Sequence, residues 1–104
     1  MTDLVLVLTT APDSEAETLA RTLVEERLAA CANVHAPMMS TYRWKGEVER
    51  EAERQIVIKT TRERLAALQK RIGELHSYEI PELIVVAVAG VSDGYADWVR
   101  QSTA

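Results

Sequence analysis

An α+β fold of order β-α-β-β-α-β with a short closing helix is predicted by three features of the chain. Two unbroken apolar runs, residues 4–8 and 83–89, read as strands buried on both faces. Two stripes of apolar residues at three- and four-residue spacing read as amphipathic helices. Between them lie two extended stretches separated by Lys45-Gly46, a turn pair in which Gly46 can adopt a positive φ.

Taken in order, Ala11-Pro12-Asp13 breaks the first strand, and Ser14-x-x-Glu17 reads as a capping box. The first helix places Ala16, Leu19, Ala20, Leu23, Val24 and Leu28 on one face, with Glu15, Glu17, Arg21, Glu25 and Glu26 largely on the other. Residues 31–45 are expected to be extended, with a break at Pro37. Residues 47–60 return as a long strand. Its first half, 47–51, is highly charged and should project into solvent or pair across an interface, whereas Ile56-Val57-Ile58 belongs to a core. Thr61 is the expected N-cap of a second helix whose stripe is Leu65, Leu68, Ile72 and Leu75. Residues 76–81 form a loop, since Pro81 disfavours helix at Ile80. Ser92 is the expected cap of a last helix carrying Tyr95, Trp98 and Val99. Two split β-α-β units make a four-stranded antiparallel sheet with helices on one face, the ferredoxin-like plaque, here a single domain over residues 1–104.

This arrangement has an uncovered side. Two helices cover one face of the sheet, yet the strands at 4–8 and 83–89 are apolar on both. Each large apolar side chain left in water forgoes about 1.5–3 kcal/mol, and a few of them would rival the roughly 5–15 kcal/mol that holds a small domain together. No further element of the chain is assigned to that face, so a second copy of the chain is expected to cover it.

Composition narrows the partners. At 47% hydrophobic and 27% charged residues the chain reads as globular, not disordered. The net charge is −4 and the basic residues are dispersed, which argues against nucleic acid as a partner. The single cysteine, Cys31, excludes an intrachain disulfide and a four-cysteine zinc site. The start, Met1-Thr2-Asp3, is not basic, and the apolar run that follows is too short for a signal peptide or a bilayer span, so a cytoplasmic location without a membrane partner is expected.

Several short motifs stand in a fixed order. They are residues 26–33, Glu-Arg-Leu-Ala-Ala-Cys-Ala-Asn; Ser40-x-Tyr42-x-Trp44-Lys45-Gly46-Glu47; Glu53 followed by Ile56-Val57-Ile58-Lys59-Thr60; His76-x-Tyr78-Glu79-x-Pro81-Glu82-Leu83-Ile84; and Tyr95-x-x-Trp98. Together they resemble the CutA family and cover nearly the whole chain. The resemblance implies a homotrimer with sheets inward and helices outward, and a role in divalent-cation tolerance, with copper binding ascribed to some members. The chain departs from that pattern at Ser77, where the family usually has proline. Copper-linked members carry a cysteine at the end of the first strand and two adjacent histidines; here those positions hold Thr9 and Leu75-His76.

His76 is therefore the metal-ligand candidate, with proton donation, helix capping or a hydrogen bond in a cleft as its other readings. Cys31 is a soft-metal ligand, a reactive thiol or an inert buried thiol. His35 is expected on the surface of a strand. Lys59, Glu53, Glu82 and Tyr42 are polar residues on or beside core strands and need partners. With His76 they are expected to gather near a subunit boundary, as a ligand cleft or as a structural ion-pair network. Tyr42, Trp44, Tyr78 and Trp98 are expected to pack in the core or an interface, and Trp44 and Tyr78 join the cleft candidates. Gly-rich phosphate loops, Gly-x-Ser-x-Gly, His-Glu-x-x-His and Cys-x-x-Cys are all absent, so no enzyme and no organic cofactor is expected. The reading is a trimeric cation-tolerance protein with weak, poorly selective divalent-ion binding, copper included. The rivals are a PII-like small-ligand sensor, an enzyme built on His76, Lys59 and Glu82, and a structural trimeric scaffold.

Overall fold

The computed structural model describes residues 2–104. Its elements are β1 (Leu4–Ala11), α1 (Asp13–Glu25), β2 (Cys31–Val34), β3 (Met38–Trp44), β4 (Glu47–Thr61), α2 (Leu65–Leu75), β5 (Ile84–Ala87) and α3 (Asp93–Ser102). A 3₁₀ turn, Arg62–Arg64, joins β4 to α2. The sheet is antiparallel in the order β2-β4-β1-β5. Strand β3 pairs with the outer part of β4, in the register Trp44 opposite Glu47 to Met38 opposite Glu53.

The sheet has five strands, not the expected four, because the second strand is cut at Pro37. His35 N–H still bonds Gln55 O at 2.9 Å, but Pro37 has no N–H to offer, and pairing resumes at Met38. Strand β4 serves both parts. Its inner half pairs with β1 and β2, and its outer half forms a hairpin with β3 that leaves the helix-packed body. The hairpin turn has φ of 49° at Lys45 and 82° at Gly46, the two positive values of a type I′ turn that matches strand twist.

Alternation sorts the core. Val5 and Val7 of β1 and Ile56 and Ile58 of β4 are fully buried against Leu19 and Leu23 of α1 and Leu68 and Ile72 of α2. Leu4, Leu6 and Leu8 point to the opposite face, beside Val57 and, across β5, Val86 and Ile84. Here the expectation that no element remains for this face is corrected. Helix α3 seats Ala96 and Val99 over Leu4 and Ala30 in a second buried cluster, and Arg100 pairs with Asp3 at 2.8 Å beside it. The cover ends there. Ile84 and Val86 remain 50% and 40% exposed in the single chain.

The caps differ from the expected ones. Helix α1 begins at Asp13 behind Pro12, whose carbonyl accepts from Glu15 and Ala16 N–H, and Ser14 makes no capping bond. Proline's fixed φ supplies the entry geometry that the capping box would have supplied. The helix closes early, because Arg27 turns left-handed at φ 60° and the N–H groups of Leu28 and Ala29 return to Leu23 O. Leu28 still enters the core, whereas Val24 faces outward at 39% exposure. Thr61 ends β4 and caps nothing through its side chain, and Ser92 precedes α3 without a side-chain bond to it. The strand expected over residues 83–89 is shorter, Ile84–Ala87. Among the described residues no helix is long and apolar enough to cross a membrane.

Candidate functional site

Strand alternation places Glu49, Glu51 and Glu53 on one face of β4, on the side opposite α1 and α2. Across the ladder, Tyr42 stands opposite Glu49 and Trp44 opposite Glu47, so two aromatic rings join the carboxylates on that face. The loop that follows α2 then folds back towards the hairpin, because Pro81 prevents α2 from resuming. It brings Tyr78, Glu79 and Glu82 to the same space. The result is an open cleft of about 700 Å³, lined by five carboxylates and three aromatic rings, with no lysine or arginine in its lining.

Three hydrogen bonds fix its floor. Tyr78 Oη donates to Glu53 Oε2 at 2.8 Å. Gln55 Nε2 donates to Glu82 Oε2 at 3.0 Å and to the Thr9 carbonyl at 2.6 Å. Burial raises the Tyr78 phenol above its ordinary value, and the bond to the Glu53 carboxylate raises it further, so it stays a donor. Desolvation also raises the Tyr42 phenol, followed by the charge of Glu51.

His76 lies behind the cleft and is buried. Its own N–H closes α2 on the Ile72 carbonyl. Its Nε2 lies 2.6 Å from the Thr10 carbonyl, and its Nδ1 accepts from Tyr78 N–H at 3.1 Å. A carbonyl only accepts and an amide N–H only donates, so the ring is the neutral Nε2–H tautomer with both nitrogens occupied. It lies tilted against the Tyr78 ring, with centres 4.6 Å apart, and so helps to hold that residue over Glu53.

Of the residues singled out from the sequence, Tyr42, Trp44, Glu53, Tyr78 and Glu82 thus line one cleft, and His76 supports it from behind. Lys59 does not join them. It sits opposite Leu6 and Cys31 on the inner half of β4, beyond the end of the cleft. Trp44 and Trp98 are not core residues but lie at the surface, Trp98 tilted against Tyr95 at 5.4 Å on α3. Cys31 is half-buried, with Sγ 3.7 Å from Asn33 Oδ1, and His35 is exposed. Sequence reasoning passed over Glu49, Glu51 and Glu79. The first two were legible as the i, i+2 continuation of Glu53 along one strand face.

The donor set does not fit a tight metal site within one chain. Among the described residues no group of three or more His, Cys, Asp or Glu side chains is placed to hold a metal ion. Three of the cleft carboxylates are spaced along β4 and two come from the loop after α2, without converging on one point, and the one imidazole beside them has no free nitrogen. Copper, which favours sulfur and imidazole, finds neither there.

Fold and cleft together define a small ferredoxin-like α+β protein with an acidic, aromatic-lined recess on its sheet. Residues 5–102 match the family model described as CutA1 divalent ion tolerance protein. The chain belongs to the CutA family. It is 42% identical over 99 residues to the divalent-cation tolerance protein CutA of Thermus thermophilus, spanning 94% of this chain and 96% of that one. It is 37% identical to the chloroplastic CutA of Arabidopsis thaliana, but there the match spans 95% of this chain and 55% of the relative. The crystal structure of CutA from Xylella fastidiosa superposes with a TM-score of 0.95 at 38% identity, covering 99% of this chain and all of that one.

Proposed function

We propose that the chain works as a homotrimeric cation-binding protein of divalent-cation tolerance, without catalysis. The observation that carries this reading is the half-covered sheet face. Helix α3 shields Leu4, but Ile84 and Val86 stand in water beside the half-buried Leu6, Leu8 and Val57. Joining copies through this strip removes it from solvent at roughly 25 cal/mol per Å² of apolar surface. The acidic cleft lies on the same face, so assembly would bring it to a subunit boundary and deepen it.

In this reading the cleft attracts divalent ions through charge and carboxylate oxygen rather than through a fixed ligand set. Hard ions such as Mg²⁺ or Mn²⁺ suit such oxygens, and the cleft offers no sulfur or free imidazole to single out copper. Absence of a converged donor set favours weak and exchangeable binding. The one imidazole near the cleft is committed to two backbone groups, which favours a binding role over acid–base chemistry.

The test is the mass in solution of the chain and of an Ile84→Glu, Val86→Glu variant, measured by light scattering at low micromolar concentration. The expected result is a trimer that the double substitution dissociates. A folded monomeric parent chain would overturn the reading.

A further inference from the structure

We propose that the cleft binds a linear aliphatic di- or polyamine laid along β4. This goes beyond the assembly proposed above and does not depend on it. The geometry has two independent parts. The first is a ladder of charge: alternate residues of a strand are roughly 7 Å apart, so Glu49, Glu51 and Glu53 present carboxylates at regular intervals along one line. An extended four-carbon chain sets its two ammonium nitrogens about 6 Å apart, close to one step of that ladder. A compact metal ion, in contrast, needs several oxygens at one point.

The second part is the state of Glu53. It is only 8% exposed, yet it lines the cleft and has no cationic partner among the described residues. Tyr78 satisfies Oε2, and Oε1 has no hydrogen-bond donor among the described residues. The free Glu53 oxygen is the one open to the cleft, within reach of a donor that enters there. An ammonium group at the inner end of the ladder is such a donor to Oε1.

The aromatic rings suit the rest of such a ligand. Tyr42, Trp44 and Tyr78 offer apolar faces to the methylene chain and π faces to the ammonium groups. Trp44 already takes a cation in this way, with Lys45 Nζ 5.6 Å from its ring centre. An anion or nucleotide is excluded by the five carboxylates.

The experiment is calorimetric titration of the intact chain, in the assembly it adopts, with 1,4-diaminobutane, spermidine, tetramethylammonium and MgCl₂ at low ionic strength. Spermidine and 1,4-diaminobutane should saturate one site per chain. The triamine should bind more tightly than the diamine, and both at least about tenfold more tightly than Mg²⁺ or tetramethylammonium. Glu51→Gln, at an exposed hairpin position, and Glu49→Gln, at a half-buried one, should each weaken spermidine about fivefold. Trp44→Leu should weaken it by a similar factor. Circular dichroism verifies that each variant is folded. The proposal is overturned if spermidine does not saturate, if Mg²⁺ matches it, if tetramethylammonium matches the diamine, or if folded Glu51→Gln and Glu49→Gln bind as the parent does. A monomeric chain that still binds spermidine would defeat the trimer and leave this inference standing.

Discussion

Tyr78 and Glu53 hold each other in place across the floor of the cleft, one donating and the other accepting at 2.8 Å. The loop after α2 is thereby tied to the hairpin strand. Tyr78→Phe removes the donor and leaves a nine-tenths buried carboxylate without its bond, at an expected loss of about 1–3 kcal/mol in chemical unfolding.

The same pair predicts an alkaline limit. The Tyr78 phenol is raised in the fold above its ordinary value of 10.0, by burial first and then by Glu53. The unfolded chain therefore releases this proton at lower pH than the native one. The contribution is fully present below the unfolded value and is lost as pH rises through the native value. The urea midpoint should fall above about pH 10, and more shallowly in Tyr78→Phe. Equal slopes for both proteins would contradict this.

Two surface pairs predict the acid limb. The bond to Arg100 lowers the Asp3 carboxyl, and the bond to Arg71 lowers the Glu26 carboxyl. Depressed carboxylates contribute stability above their unfolded values, lost as pH falls through the native ones. Glu26→Gln should flatten the acid limb of stability, and 1 M salt should mimic part of that effect by screening. An unchanged limb in the variant would remove Glu26 from the account.

Thr9 predicts a gain. Its Oγ1 is fully buried and, among the described residues, has no hydrogen-bond partner. Thr9→Val keeps the branched shape and replaces the stranded hydroxyl with a methyl group. It should stabilise the protein by about 1 kcal/mol, read as a higher urea midpoint at unchanged slope. A lower midpoint would mean that the hydroxyl has a partner in solution.

His76 predicts a separation of stability from metal. His76→Ala loses two backbone bonds and buried packing at once, an expected cost of about 2–4 kcal/mol. Titration of the folded variant with Cu²⁺ should give the parent's affinity, since the native ring has no nitrogen to lend. A copper site that disappears with the imidazole would reverse this assignment.

The strands were legible because branched apolar runs and a Lys-Gly turn have few other uses. The long charged strand was legible too, because Glu47-Val48-Glu49-Arg50-Glu51 runs straight into Ile56-Val57-Ile58 with no breaking residue. The motif residues Tyr42 and Glu53 come from the two strands of the hairpin and Tyr78 and Glu82 from the loop after α2, and the register of β3 on β4 together with the bend at Pro81 brings them to one place. Lys59 shared their motif but not their site, since position along a strand decides reach as much as the face does. The caps were illegible because Pro12, Ser14 and Thr61 all suit a helix start, and only the folded backbone selects among them. The seat of α3 was hidden for a related reason. The period of Ala96 and Val99 defines an apolar stripe without naming the surface that the stripe will cover.

The division of β4 between hairpin and body also orders events during folding. Trp44 meets Glu47 across a two-residue turn, a contact that closes within about 1–10 μs in isolated hairpins. Leu4 must find Thr61, and Val5 must find Ala87, over most of the chain, at a far larger entropic cost of loop closure. The outer half of β4 is thus expected to be zipped early and to hold Ile56 and Ile58 extended while β1 is still searching. Pulsed amide exchange during refolding should find β3 and outer β4 protected before β1 and β5; simultaneous protection would refute that order. The charged arm then serves the newborn chain as a local template for its own core strand.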